Sequence, residues 1–483
     1  MRRWSRGSRC LAACRRVATF QQVGLWYTNS LSRKFTTVDY EAALDQTVSL
    51  REALPASHLA RFVVDLVAQL DLSLIYAGYA ERGGIAYAPE ILLALLFYGY
   101  ATGVFSARRI EKATYEMLPF RFIAGGLHPD HDTLANFRKT FRVEIKELFV
   151  QVLLLAQAAG YLKLGNISMD GSKVHANASK SKAVSYKRLL ELESQLRAEV
   201  EALFRLADQA DGHAVPEGLH VTDEIALRQE RLARLAEAKQ VLQARAQERL
   251  AAEQAEYEAK LRQRAEQAAH TGRKARGRPP TPPSAGEPQD KDQYNFTDPE
   301  SRIMKNSSSA GFEQAYNAQV AVDQDSYLIV ACSLSNHPND KAEVEPTLDA
   351  LPAALGTPAA AALDNGFFSE KNIAALAERR IEPYIATGRE PHHQSWQERF
   401  AAEPEPPAAD ASPQVKMAYK LRTQIGQAIY RLRKCTVEPV IGIIKAVLGF
   451  RQFSLRGLDP TDCEWCLVCL AFNLKRLHTL SIA

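Results

Sequence analysis

Between Asp39 and about Leu162, apolar residues recur three and four positions apart, as in Leu59-Ala60-Arg61-Phe62-Val63-Val64-Asp65-Leu66-Val67, which predicts a helical region. The period changes at residues 165 to 175, where Asn166 to Val174 alternates like a strand ended by a turn. Strand character resumes from Ala315 to Val322, breaks at Asp323-Gln324-Asp325-Ser326, and returns from Tyr327 to Leu334 as a hairpin. A helix from Lys341 to Leu351, an apolar run from Ala359 to Leu363 ending in Asp364, a helix from Ser369 to Arg379 and the segment Pro383-Tyr384-Ile385-Ala386 follow. Strands alternating with helices predict a mixed sheet of the α+β or α/β kind. Leu189 to about Ala269 is instead rich in Glu, Ala, Leu, Gln and Arg, with a break at Asp211 to Gly218, and predicts two long helices folded back as a hairpin. The stretches Thr271 to Asp292 and Ala401 to Pro413 are proline-rich linkers.

At 483 residues, with 46% hydrophobic and 24% charged, the chain has a globular composition and room for about three domains. The longest apolar run, Ile91 to Phe105, falls short of the about 20 residues that cross a bilayer, so no membrane span is expected. Seven cysteines, five of them after residue 330, fit a reducing, intracellular compartment better than a disulfide framework. A net charge of +4 hides an uneven distribution. No acidic residue precedes Asp39, whereas Arg2, Arg3, Arg6, Arg9, Arg15, Arg16, Arg33 and Lys34 are basic. Residues 1–38 read as a loose basic arm, a kind of segment that also serves to touch nucleic acid or as an organellar presequence.

From Lys416 to Gly457 nine residues are basic and Glu438 is the only acid. A basic helical surface binds phosphates, and a lone carboxylate on it repels them unless a cation stands between. A divalent metal is such a cation, and it needs further carboxylates. Asp170 before Gly171, and Asp364 before Asn365-Gly366, stand where strands are expected to end. The three together could hold two metals about 4 Å apart for phosphodiester chemistry, although an Asp before a Gly also simply forms turns. In the helical region, Ser106 is expected to cap a helix carrying Arg108 and Arg109, and Asp132 one carrying Arg138, a layout suited to a DNA groove and equally to the solvated face of a bundle. Arg276-Gly277-Arg278-Pro279 has the core of a minor-groove hook or of a merely basic linker. Cys463, Cys466 and Cys469 have ligand-like spacing but lie in an apolar helical pattern without a fourth thiol, and read as packing. His128 and His131, beside Asp130 and Asp132, read as turn and cap rather than as a metal cluster.

Met169-Asp170-Gly171-Ser172-Lys173-Val174-His175-Ala176-Asn177-Ala178-Ser179 resembles the first-Asp motif of bacterial insertion-sequence transposases of the DDE class. Leu363-Asp364-Asn365-Gly366-Phe367-Phe368-Ser369 is similar to their second. The run from Val437-Glu438-Pro439 to Lys445, followed by Gly449-Phe450-Arg451-Gln452-Phe453 and Leu455-Arg456-Gly457, resembles the third. Tyr98 to Gly103 and His128 to Thr133 extend the likeness into the helical region. The usual Arg four residues before the Glu is Lys434 here, with Arg433 one residue further away. The resemblance implies a helical DNA-binding domain (39–162), a ribonuclease H-like catalytic core (163–188 and 294–478), an inserted helical hairpin (189–270) and a basic linker (271–293). It implies that Asp170, Asp364 and Glu438 ligate Mg²⁺, with Mn²⁺ able to substitute. Tyr430, Arg433, Lys445 and Arg451, with Arg108, Arg109, Arg138, Arg276 and Arg278, would then contact double-stranded DNA, both terminal inverted repeats and target. The implied protein cleaves and transfers DNA strands in the cytoplasm, at the nucleoid, as a homodimer or larger synaptic complex. A catalytically silent, domesticated DNA-binding scaffold and a stand-alone nuclease are the rival readings.

Overall fold

Helices α1 (Leu59–Val67), α2 (Ser73–Ala77), α3 (Pro89–Ala101), α4 (Ala107–Glu116), α5 (Leu118–Ile123), α6 (His131–Thr140) and α7 (Arg142–Ala158) precede the first strand of the computed structural model, which describes residues 47–80, 85–209, 218–271, 278–283, 286–305, 311–388 and 405–482. All of them belong to the unit Leu54–Ala483, whereas Met1–Ala53 forms a unit of its own whose described part holds the short helix Leu50–Ala53. The basic arm 1–38 lies outside the described residues. One side of α1 carries Ala60, Val63, Leu66 and Val67 and is buried, as its three-and-four spacing predicts. By contrast α3 is apolar all round, and from Leu92 to Ala101 every residue is buried, which makes it a central core helix. No helix among the described residues is long and apolar enough to cross a membrane. The cap of α6 is Asp130, not Asp132: its Oδ1 accepts the Thr133 N–H at 2.8 Å, so the helix starts at His131. Ser106 stands at the start of α4 but makes no capping hydrogen bond.

Strand β1 (Ile167–His175) opens the sheet. β2 (Ala183–Ser185) and β3 (Gln293–Asn295) pair antiparallel and close the base of the expected insertion, helices α8 (Tyr186–Gln209) and α9 (Val221–Thr271). At 1.5 Å per residue α9 is about 75 Å long. Leu189, Leu196, Leu235, Ala238 and Leu242 form a small core for this hairpin, separate from the main one, and Lys239 pairs with Glu193 at 2.9 Å.

The sheet continues with β4 (Arg302–Lys305), β5 (Phe312–Asp323), β6 (Ile329–Ser335), β7 (Ala360–Leu363) and β8 (Glu382–Ile385) in the order β4-β5-β1-β7-β8, with β6 also on β5. β5 runs antiparallel to β1 and β6, whereas β7 runs parallel to β1 and to β8. Helices α10 (Val344–Asp349) and α11 (Glu370–Glu378) join the later strands. The chain then forms α12 (Pro413–Arg422), α13 (Gln424–Gly442), a π-helical turn (Ile443–Val447) and α14 (Leu458–Ser481). Along α14 the residues from Cys463 to Leu474 are all buried, and Asn473 ties the helix to β6 through both backbone groups of Ile329, each at 2.8 Å.

One hydrophobic core spans α1, α3, α7, the sheet and α14, so the helical region and the sheet region share their interior. A buried polar cluster crosses the same boundary. Glu464 of α14 accepts the Tyr100 hydroxyl of α3 at 3.2 Å and the N–H groups of Ser454 and Leu455 at 2.9 and 3.0 Å, and Arg138 lies 3.8 Å away. Such a cluster holds a fixed geometry because each member left alone would be a buried, unsatisfied charge or dipole.

Candidate active site

Strand register brings two of the three expected acids together. Met169 pairs with Leu363, so the next residues, Asp170 and Asp364, leave this parallel ladder side by side. β7 ends there because Asp364 turns the chain: its side chain accepts the Gly366 N–H at 2.6 Å and starts the helical turn Asn365–Phe367. β1 does not end. It stays paired with β5 as far as His175, so Asp170 lies within a strand and Gly171 is not the expected turn. Gly171 instead leaves space, since a methyl group there would stand 2.1 Å from the Gln319 side chain on β5.

The third acid arrives on α13. Gly426, Tyr430, Arg433, Thr436, Val437 and Val440 are its buried residues, and Thr436 donates to the Ser168 hydroxyl of β1 at 2.8 Å. Gly426 permits the close approach of α12, because a methyl group there would meet the Lys420 carbonyl at 1.9 Å. This seating places Arg433, only 6% exposed, between two acids. Its Nη1 reaches Asp170 Oδ2 at 3.2 Å and its Nη2 reaches Glu438 Oε1 at 3.0 Å. Glu438 is about half exposed, whereas Asp170 is mostly covered.

Burial, helped by the nearby Asp364 and Glu438, pushes the Asp170 carboxyl up to about 6 against the pull of the Arg433 guanidinium. For Arg433, burial alone would lower the affinity for its proton, but Tyr430, Asp170, Glu438 and Asp364 outweigh it and hold the guanidinium charged. Two carboxylates thus pair with one buried cation, and Asp364 stands beside the first of them. Among the described residues, no three His, Cys, Asp or Glu side chains stand close enough together to hold a metal ion.

The other expected residues fall into two groups. Lys445 donates to the Lys173 carbonyl at 2.8 Å, and burial, with Arg451 and Lys173 close by, lowers its proton affinity. Arg451 is exposed above it, donating to the Lys445 carbonyl at 3.1 Å. Arg108 and Arg109 are exposed on α4, and Arg278 is exposed, while Arg276 lies outside the described residues. Arg433, Arg138 and Tyr430 are placed differently from an open DNA-facing surface. Arg138 donates to the Tyr100 hydroxyl at 2.5 Å beside Glu464, and Tyr430 packs in a small cluster with Ala360, Ala362 and Tyr384. Lys434, at the usual spacing before the Glu, is exposed. Cys463, Cys466 and Cys469 are buried in the core.

A polar group missed by sequence reasoning lies on the opposite face of β1 from Asp170. Asp340 Oδ1 accepts Lys173 Nζ at 3.1 Å, Asn317 Nδ2 at 2.7 Å and Gln319 Nε2 at 2.9 Å. A methyl group at Gly366 would lie 3.0 Å from Asp364 Oδ1 and 3.6 Å from Asp340 Oδ2, so the two carboxylates are neighbours across this glycine. Asn317 and Gln319, two polar residues within the buried stretch of β5, were its signal in the sequence.

Residues 48–140 match the family described as Transposase domain (DUF772), and residues 407–478 match the family described as Transposase DDE domain. No curated protein and no solved structure matches the chain significantly. The first match covers most of the helical region before β1, and the second covers α12, α13 with Arg433 and Glu438, and nearly all of α14. Transposase families are thus matched near both ends of the chain, and the two matches together support a DDE transposase of the insertion-sequence type.

Proposed function

We propose that the protein binds the terminal inverted repeats of its element, cleaves DNA strands there and transfers them to target DNA, with Asp170, Asp364 and Glu438 as the acids of one Mg²⁺-dependent centre. The observation that carries this reading is that Arg433 bonds both Asp170 and Glu438 while the β1–β7 register sets Asp364 beside Asp170. The order β6-β5-β1-β7-β8, three antiparallel strands followed by two parallel ones, supports a ribonuclease H-like core.

The donors are all carboxylate oxygens, the set a hard divalent cation prefers. The residues therefore fit Mg²⁺ or Mn²⁺. When bound, such an ion activates an attacking hydroxyl and stabilises the leaving oxygen of a phosphodiester. The chain's own part is positional. The β1–β7 ladder fixes Asp170 beside Asp364, the bond between Thr436 and Ser168 fixes α13, and Arg433 keeps Asp170 and Glu438 from repelling each other. Lys445 and Arg451, beside Ser172 and Lys173, offer positive charge to the DNA backbone, as do the exposed Arg108 and Arg109. Two DNA ends must be held together for transfer, so a dimer or larger synapse is expected.

Purified full-length protein, given a labelled duplex that ends in the repeats flanking its gene, should cut at the repeat end with Mg²⁺ and join the new 3′ end to a second duplex. Binding without cutting would establish the silent scaffold, and cutting without joining the nuclease. Equal affinity for repeat and scrambled duplexes at matched salt would sink the repeat-binding claim.

A further inference from the structure

We propose that the cavity between the end of α6, the start of α7 and the start of α14 seats a sugar–phosphate segment of a DNA strand. It lies in the helical region's contact with the core, away from the three acids, and the inference rests on the DNA-binding reading above. The cavity has a volume of about 170 Å³, and Arg138, Lys139, Arg142 and Arg456 line it together with apolar side chains that include Ile145 and Leu467.

Its charge is unbalanced. Glu464 is the only acid in the lining, and its oxygens are already engaged by the Tyr100 hydroxyl and by the Ser454 and Leu455 N–H groups. Arg142 has its own partner in Asp459 at 2.9 Å. Arg138 is largely buried, and its Nε has no hydrogen-bond partner among the described residues. Lys139 and Arg456 are exposed, and the Asn177 carbonyl, accepting from Arg456 Nε at 3.1 Å, holds that side chain in place. A cationic lining suits a phosphate, and an apolar wall suits the deoxyribose attached to it. A bare inorganic ion would leave the wall unused.

The same strand connects this cavity to the acids. Five residues beyond Asp170, the backbone N–H of His175 donates to the Arg451 carbonyl at 3.1 Å and its carbonyl accepts the Phe453 N–H at 2.9 Å, in the loop that carries Arg456. Five residues of strand span about 17 Å, or about five base pairs of duplex at 3.4 Å each.

Full-length protein and a labelled duplex, titrated by fluorescence anisotropy over a range of NaCl concentrations, test the proposal with two variants. Lys139→Gln with Arg456→Gln removes two charges and none of the buried ion pairs. The slope of log affinity against log salt should fall by about 1 to 2 while the melting temperature stays unchanged. Leu455→Trp fills the cavity without changing charge and should weaken binding about tenfold at fixed salt. An unchanged slope in the charge variant overturns the proposal. So does wild-type affinity in the filled variant, since the cations would then act as open surface. A wild-type protein that binds no duplex overturns the DNA-binding reading itself, a result distinct from either of these.

Discussion

Asp170→Asn, Asp364→Asn and Glu438→Gln, made one at a time, are each expected to reduce Mg²⁺-dependent strand cleavage by more than about 100-fold, the scale of losing one preorganised charge-stabilising group. Each exchange keeps the shape and hydrogen-bonding capacity of the side chain and removes one negative oxygen donor. Duplex affinity should survive in all three, because the exposed cations Arg108, Arg109 and Arg451 are untouched. Gel shifts and a cleavage assay on the same preparations separate the two properties. Cleavage near the wild-type level in any one variant would remove that residue from the centre.

Arg433→Gln is expected to cost about 3 to 5 kcal/mol of stability at pH 8, the range for breaking a buried ion pair by removing one partner. The loss should depend on pH in a defined direction. Because the folded protein holds the Asp170 proton up to about pH 6, above the ordinary carboxylate value of 3.8, this group's contribution to stability is complete only below pH 3.8 and is lost as pH rises from there through 6. Without Arg433 the ionised Asp170 would face Asp364 and Glu438 uncompensated. The variant's deficit in urea unfolding should therefore be smallest near pH 4 and grow above pH 6. A deficit independent of pH would mean that Arg433 only packs.

Local pattern and long-range pairing explain what the sequence revealed and what it hid. The two long helices of the hairpin were legible because α8 and α9 carry their own apolar stripe, while the expected break from Asp211 lies outside the described residues as far as residue 217. Strands β1, β5, β6, β7 and β8 were legible to within a few residues from their alternation or apolar runs, whereas β2, β3 and β4, three or four residues each, are too short to show a period and were missed. Gly171 misled because its role is set across the sheet: the residue opposite it, Gln319, takes the space a side chain would fill. The spacing Gly426, Tyr430, Arg433, Val437 is one helix face in the sequence, but nothing local says that this face turns toward β1 and draws Arg433 away from solvent. Arg138 is a similar case, since its neighbour Glu464 lies on α14, at the far end of the chain.

Iron-directed cleavage of the polypeptide tests the claim of one metal-binding centre most directly. With Fe²⁺ in place of Mg²⁺, hydrogen peroxide as oxidant and ascorbate to return Fe³⁺ to Fe²⁺, hydroxyl radicals formed at the bound ion cut the backbone nearest to it. The expected fragments end near residues 170, 364 and 438 together, and excess Mg²⁺ suppresses all three cuts in parallel. Cuts confined to other parts of the chain, or cuts at these positions that Mg²⁺ does not suppress, would contradict the account.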